Sequence, residues 1–327
     1  MYFYLIGVDY KSSTIDTREK LYRNRKAISG FCASHLPHEA ALLTTCNRIE
    51  IYGLTKYADD ALGHIAAFSE RLPEFSKYAY VKYGEAEVFH HALRLGVGLE
   101  SQLKGEPQIL AQLEAWSSGD RVPLPIKVLW DRAITLARKI RVASKLNEDN
   151  DNIATIVLED IRRRLGGRRK YEIVIVGTGK IAELFSGSRP IGAHLLFAAH
   201  KNYQKAQMLA INSGGDALFL KDLPGIIART DALICATSSP HQVIEKDIFN
   251  NLAVGREYPL YIYDLAIPRD VEPTSGRVNG IFLNNLDSLR YLFYRYNKSK
   301  QERIELASDL IGDVLKIHQE LAHGKDH

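Results

Sequence analysis

Residues 171–182 constrain the fold of this chain more than any other stretch. Tyr171-Glu172-Ile173-Val174-Ile175-Val176 is a nearly unbroken apolar run that leads directly into Gly177-Thr178-Gly179-Lys180-Ile181-Ala182 and an apolar helical pattern. A strand without regular polar alternation is covered on both faces, as in a parallel sheet flanked by helices. Between a strand and a helix, Gly-x-Gly-x-x-Ala permits a tight turn, close approach of backbone to a pyrophosphate, and a helix N-terminus facing the anion. Gly177, Thr178, Gly179, Lys180, Ile181 and Ala182 are therefore expected to hold a dinucleotide.

The strands that follow refine this reading. Residues 194–199 end in His200-Lys201-Asn202, with no carboxylate to grip a ribose 2′-hydroxyl, so the end of this strand suits a 2′-phosphate, with Lys201 as a point charge. Residues 231–236 end in Thr237-Ser238-Ser239-Pro240, which places the hydroxyls of Thr237 and Ser238 at the carboxyl edge where a cofactor binds. Cys235 falls in mid-strand and reads as core. Residues 260–265 and 280–283 complete a sheet with helices between its strands.

The amino-terminal half has a different pattern. Residues 42–53, Leu-Leu-Thr-Thr-Cys-Asn-Arg-Ile-Glu-Ile-Tyr-Gly, form two strand-like runs, and Cys46 sits at the break between them. Arg48 and Glu50 have the same parity and so face one side of a regular strand. A free cysteine is most often a small buried hydrophobe, and a reactive one needs an electropositive, partly exposed site. Residues 2–8 form an opening strand that leaves into Lys11-Ser12-Ser13-Thr14, with Ser13 or Thr14 capping the next helix. Residues 85–99 carry apolar side chains at helical spacing, with His90 and His91 on the same helix. Gly105-Glu106-Pro107-Gln108 makes a turn into a helix on which Gln108 and Gln112 share a face. Residues 126–146 read as a long helix bearing Arg132, Arg138, Lys139, Arg141 and Lys145, a basic face suited to phosphate contacts.

A chain of 327 residues with 46% hydrophobic content has room for two packed cores and some connecting structure. Its net charge of +4 permits a nucleic-acid partner without demanding one. Cys32, Cys46 and Cys235 are too widely spaced for a zinc site and odd in number, so neither a metal nor a disulfide framework is expected. No apolar run is long enough for a membrane span, and the first ten residues lack a signal-peptide pattern. The expectation is a soluble cytoplasmic protein.

Thr45-Cys46-Asn47-Arg48, together with Gly7-Val8-Asp9-Tyr10-Lys11 and the run from Gly98-Leu99-Glu100-Ser101 through Gly105-Glu106-Pro107-Gln108-Ile109-Leu110, resembles the glutamyl-tRNA reductase family. The resemblance continues through the glycine loop into Asp264-Leu265-Ala266-Ile267-Pro268-Arg269-Asp270-Val271-Glu272-Pro273. It implies NADPH-dependent reduction of glutamyl-tRNA(Glu) to glutamate-1-semialdehyde through a cysteine thioester, at the entry to tetrapyrrole synthesis. It further implies that Cys46 is the nucleophile and His91 the second catalytic residue. Thr45, Asn47, Arg48, Glu50, Ser101, Glu106, Pro107, Gln108 and Gln112 would hold the glutamyl group, with Arg48 pairing with a substrate carboxylate.

The fold class implied is multidomain α/β. Residues 1–150 would be an α+β catalytic domain, residues 151–285 a Rossmann-like NADP-binding domain, and residues 286–327 a long helical tail, the shortened form of a dimerisation region. A homodimer through the apolar stripe of that tail is expected, and glutamate-1-semialdehyde aminotransferase is the partner enzyme. Tyr10 stands where the family commonly has a histidine, Val97 replaces a frequent serine, and Asn152 falls near another. Those departures and the short tail motivate an alternative, a non-catalytic paralogue that binds charged tRNA or a partner enzyme. A third reading is a reductase for other acyl thioester carriers.

Overall fold

The computed structural model describes residues 1–36, 39–120, 122–148, 151–166, 168–188, 190–249 and 258–323. Asp149 and Asn150, in the loop that departs from the family pattern, lie outside the described residues, as does Gly167 of the basic stretch before the first nucleotide-domain strand. The chain forms two compact units, Met1–Asn150 with Phe293–His327, and Asp151–Leu292.

In order, the first unit contains β1 (Tyr2–Asp9), α1 (Ile15–Arg23), α2 (Arg25–His35), β2 (Ala40–Thr44), β3 (Arg48–Thr55), α3 (Ala58–Arg71), α4 (Pro73–Tyr78), β4 (Tyr80–Tyr83), α5 (Glu85–Val97), α6 (Pro107–Ser117) and α7 (Leu124–Ala143). Its four strands form an antiparallel sheet in the order β2-β3-β1-β4, with Asp9 opposite Arg48. Strand alternation sends the side chains to two cores. Ile6, Val8, Ile49 and Ile51 meet Leu21, Ile28, Phe68 and Phe75 from α1 to α4 on one face. Phe3, Leu5, Tyr52 and Leu54 meet α5, α6 and α7 on the other, around Trp130. Thr14 caps α1, accepting from the amide of Thr17.

The second unit contains α8 (Ile153–Arg164), β5 (Tyr171–Val176), α9 (Lys180–Ser186), β6 (Ala193–Ala199), α10 (Tyr203–Ser213), β7 (Asp216–Phe219), α11 (Leu223–Ile226), β8 (Ala232–Cys235), β9 (Leu260–Asp264) and β10 (Ile281–Asn285). Its six strands are all parallel, in the order β10-β9-β8-β5-β6-β7, the doubly wound arrangement in which the order reverses between β5 and β8. α8 belongs here because Tyr263 on β9 donates 2.7 Å to Asp160, a bond buried on both sides. Cys235 is fully buried in this sheet.

The chain then returns to the first unit through α12 (Arg290–Ser299) and α13 (Gln301–His323). The single long helix read from residues 286–323 is thus two helices. Neither glycine nor proline marks the break, and tertiary bonds coincide with it. Asn297 accepts from the amide of Lys104 at 2.8 Å and donates to the carbonyl of Gln102 at 2.9 Å, while Lys300 is buried. Part of the apolar stripe expected to await a second copy is covered by the chain itself, while Leu306 stays exposed. Ala307 and Ile311 are buried in the core of α5 and α7, with Ile304, Leu310, Val314 and Leu315 packed around them. Residues 293–327 are part of the amino-terminal unit and not a separate tail. Among the described residues, no helix is long and apolar enough to cross a membrane.

Candidate functional site

Cys46 occupies the tip of the β2–β3 hairpin. The turn is closed by the amide of Thr45 donating to the Arg48 carbonyl at 2.9 Å and by the amide of Asn47 donating to Thr45 Oγ1 at 3.2 Å. The amide of Tyr10 donates to the Asn47 carbonyl at 3.0 Å, which ties the end of β1 to the same turn. Cys46 is exposed, whereas Cys32 and Cys235 are buried, so it is the one cysteine a substrate can reach. The thiol is not activated in this state. Protein atoms crowded around it push it up to about 11, the Glu106 carboxylate adds to that effect, and Arg18 and Arg48 oppose it. The pull of Arg48 is the weakest of these influences, so it does not offset the crowding.

The loop between α5 and α6 lies against this hairpin. Arg48 Nη2 donates 2.5 Å to the Glu100 carbonyl, Gln102 Nε2 donates 2.9 Å to Asn47 Oδ1, and the Tyr10 hydroxyl donates 3.2 Å to the Ser101 carbonyl. The Ser101 hydroxyl bonds the Glu106 carboxylate, whose pKa is raised by burial against the pull of Ser101, Arg48, Arg141 and Lys300. Arg141 ties down the same loop, donating to the carbonyls of Val97 at 2.9 Å and Gly105 at 2.8 Å. Arg141 is buried, so it is not one of the exposed phosphate contacts expected of α7; Arg132, Arg138, Lys139 and Lys145 are exposed. Thr45, Cys46, Asn47, Ser101 and Glu106 are thus gathered at one place. None of the bonds just described involves Pro107, which is exposed in the first turn of α6, or Gln108 and Gln112, which are half-buried along it.

Arg48, Glu50 and His91 form an internal network beneath the hairpin. Glu50 is fully buried and accepts from Arg48 Nη1 at 2.7 Å, from the Tyr52 hydroxyl at 2.7 Å and from the Tyr80 hydroxyl at 2.5 Å, with His91 Nε2 at 3.0 Å. Burial alone would raise the Glu50 carboxyl, yet the charges of His91 and Arg48 hold it well below the ordinary carboxylate range. With 1% exposure and bonds to Glu50 and the Glu100 carbonyl, Arg48 has an internal job, and pairing with a substrate carboxylate does not fit its surroundings. The same reason removes Glu50 from the substrate contacts. The shared parity of Arg48 and Glu50 does place them side by side on β3.

Several contributors were missed from sequence. Arg18 is buried within electrostatic reach of Cys46 and donates 2.9 Å to the Ser13 carbonyl. Its signal was a charge standing three residues from both Ile15 and Leu21 on the apolar face of α1. Glu100 is bonded by Lys11 and by Arg94 Nε at 2.7 Å; burial would raise it, but these cations hold it at about 2. Asn297, far along the chain, gave no signal at all.

The second unit carries a cleft of about 1020 Å³ at the carboxyl ends of β5, β6 and β8, where the strand order reverses. Gly177, Thr178, Gly179, Lys180 and Ile181 line it, as do His200, Lys201 and Asn202 at the end of β6 and Thr237 and Ser238 at the end of β8. Gly177 has φ +116°, and a side chain there would meet the Ala236 carbonyl oxygen at 2.6 Å, so only glycine fits this turn. Ala182 is buried and does not line the cleft. Thr237 also departs from expectation. Its hydroxyl is turned away, donating to Asp270 Oδ1 at 2.5 Å and accepting from the amide of Ser239 at 3.0 Å.

Residues 6–144 match the family profile described as glutamyl-tRNAGlu reductase, N-terminal domain, and residues 135–292 match that described as shikimate / quinate 5-dehydrogenase. A glutamyl-tRNA reductase of Methanococcoides burtonii is 29% identical over 89% of this chain and 69% of its own length. That of Carboxydothermus hydrogenoformans is 26% identical over 97% of this chain and 73% of its own. The solved structure of glutamyl-tRNA reductase from Methanopyrus kandleri covers 98% of this chain and 80% of its own at 26% identity, with a TM-score of 0.50. Over most of its length the chain is similar to glutamyl-tRNA reductases.

The positions at which it departs from the reductase pattern have structural work to do. Val97 is buried in the core under α5. Asn152 caps α8, its side chain accepting from the amides of Ala154 and Thr155 while the Asn152 amide donates to the Thr155 hydroxyl. The Tyr10 hydroxyl holds the loop that carries Ser101.

Proposed function

We propose that this chain reduces the glutamyl group of glutamyl-tRNA to glutamate-1-semialdehyde with NADPH, through a thioester on Cys46. The observation that carries the reading is the exposed Cys46 at a hairpin tip held against the Ser101–Glu106 hydrogen bond, in a chain similar to the reductases over most of its length. Sγ attacks the glutamyl carbonyl carbon; the C–S bond forms, the ester C–O bond breaks, and the ribose hydroxyl of the tRNA leaves with a proton. A thioester is more electrophilic toward hydride than the oxygen ester it replaces. The substrate's α-ammonium is the counter-charge that suits Glu106, and its arrival removes one of the two influences that hold the thiol protonated. Thr45, Asn47 and Ser101 frame the acyl group, while Arg48, Glu50 and His91 hold the hairpin in place from below.

The cleft of the second unit fits NADPH. The loop with Gly177 lets a pyrophosphate approach the backbone, Lys201 stands at the end of β6, and among the described residues no carboxylate lines the cleft to favour a free 2′-hydroxyl. When bound, this cofactor supplies the hydride that converts the thioester to the aldehyde and releases the thiol.

The test mixes glutamyl-tRNA with the protein in the absence of NADPH, quenches in acid and examines the intact mass. The expected result is a hydroxylamine-labile glutamyl adduct on Cys46 that is absent from Cys46→Ser. A tRNA-binding paralogue would give no adduct, and a reductase for other carriers would not react with tRNA. Reduction by Cys46→Ser at the parent rate would overturn the thioester mechanism.

A further inference from the structure

Asp270 lies in the segment that follows β9, is fully buried, and touches the nucleotide cleft only through other residues. Its carboxylate takes two hydrogen bonds from one residue of the cleft wall, the Thr237 amide at 2.7 Å to Oδ2 and the Thr237 hydroxyl at 2.5 Å to Oδ1. Its main-chain carbonyl takes two more from the far end of the same wall, the amides of Val243 at 2.8 Å and Ile244 at 3.0 Å. Thr237, Ser238, Pro240, His241 and Val243 line the cleft, so one residue grips both ends of the segment that forms this side of it.

Asp270 is itself delivered by Asp264 at the end of β9. The Asp264 carboxylate accepts from the amides of Ala266 at 3.2 Å, Asp270 at 3.3 Å and Val271 at 2.9 Å, which folds the intervening chain back on itself. Inside the clasped segment a relay of turns continues, with the Ser239 amide on Thr237 Oγ1 and the His241 amide on Ser239 Oγ at 3.2 Å. The Thr237 hydroxyl is therefore spent within the protein, and the group left facing the cleft is the exposed Ser238. Burial pushes the Asp270 carboxyl up to about 6 against the pull of the two Thr237 bonds, so at neutral pH it remains an acceptor for both.

We propose that Asp270 is a positioning residue for the nicotinamide cofactor, clasping residues 237–244 at both ends and thereby fixing the wall against which the cofactor binds. The inference rests on the cofactor reading given above. The Thr237 contact acts at a distance from the cofactor, so its hydroxyl matters for the shape of the wall and not as a ligand.

The experiment measures NADPH affinity by nucleotide fluorescence and, separately, acylation of Cys46 by glutamyl-tRNA without cofactor. Asp270→Ala and Thr237→Val each remove two hydrogen bonds of the clasp and should raise the Kd for NADPH by about tenfold or more. Acylation, which uses no cofactor, should proceed at the parent rate in both. Thr237→Ser keeps the hydroxyl, and Asp270→Asn can re-form both bonds once that hydroxyl reverses, so each should stay within about twofold of the parent. Parent-like affinity in Thr237→Val and Asp270→Ala would overturn the proposal, as would equal weakening by Thr237→Ser and Thr237→Val. Should Asp270→Ala fail to fold, the two Thr237 variants decide the matter by themselves. A parent protein that bound no nicotinamide nucleotide would overturn the cofactor reading and this proposal with it, an outcome distinct from variants that bind as well as the parent.

Discussion

The ionisation of Cys46 gives the sharpest quantitative test of the site. With the thiol pushed from 9.0 to about 11, the thiolate at pH 7.5 is roughly 100-fold scarcer than in an unperturbed cysteine. Scarcity is partly offset by reactivity, because nucleophilicity rises with pKa at a Brønsted slope of about 0.4–0.5, which returns about 8-fold. The net expectation for alkylation of Cys46 by iodoacetamide at pH 7.5 is a rate about 10-fold below that of a free thiol. The rate should climb tenfold per pH unit to beyond pH 10 without levelling. Glu106→Gln removes a charge that helps hold the thiol protonated, so alkylation should become faster at fixed pH and its titration should move downward. Peptide mapping after timed quenching separates Cys46 from Cys32 and Cys235, both of which are buried. A midpoint near 9.0 in the parent, or a slower Glu106→Gln, would refute the argument that crowding and a neighbouring carboxylate keep this nucleophile at rest until substrate arrives.

Three further outcomes are expected. Glu100 has its carboxyl held at about 2 by Lys11 and Arg94 against its own burial, so its folded-state value is depressed; the stability it contributes is present above about 4.5 and drains as pH falls toward 2. Glu100→Gln should therefore cost roughly 2 kcal/mol in urea unfolding at pH 7, after discounting for the half-exposed lysine, and almost nothing at pH 2. Trp116 and Trp130, both in the first unit, report this unit alone by fluorescence, and an equal cost at both pH values would contradict it. Ile311→Ala should destabilise the same unit by about 2–5 kcal/mol, as expected for truncating a buried isoleucine, and a loss below about 1 kcal/mol would mean that α13 does not pack on α5 and α7. Lys201→Ala should weaken NADPH and leave NADH unchanged, a claim overturned by equal affinity of the parent for both.

What could be read in the sequence was whatever depends on neighbours along the chain. The Gly177 loop declares itself because the strand, the glycines and the helix are contiguous, and the hairpin around Cys46 because two short strands flank one polar turn. The parity of Arg48 and Glu50 placed them correctly on one face. Parity could not say what covers that face, and α5 delivers Tyr80's neighbour His91 onto Glu50 from 41 positions away. Functional assignment of Arg48 failed for that reason, since a guanidinium free to bind substrate and one spent on an internal carboxylate look alike in sequence. Arg141 failed in the same way, its fork turned onto the carbonyls of a loop and not toward solvent. The break before Gln301 carries no local signal, because what coincides with it is a pair of bonds from Asn297 to a loop nearly 200 residues earlier.

The return of Phe293–His327 to the first unit has a consequence for the order in which this protein can be made. Ribosomes deliver α5 and α7 long before α13, and at about 5–20 residues per second the wait between Val97 and Ala307 is roughly 10–40 s. During that interval the apolar surface that Ala307 and Ile311 will cover stays open, while Asp151–Leu292 emerges as an uninterrupted segment able to fold as soon as it is complete. The nascent chain thus finishes its second unit before its first, and the amino-terminal half depends for its last core residues on a segment made after that second unit.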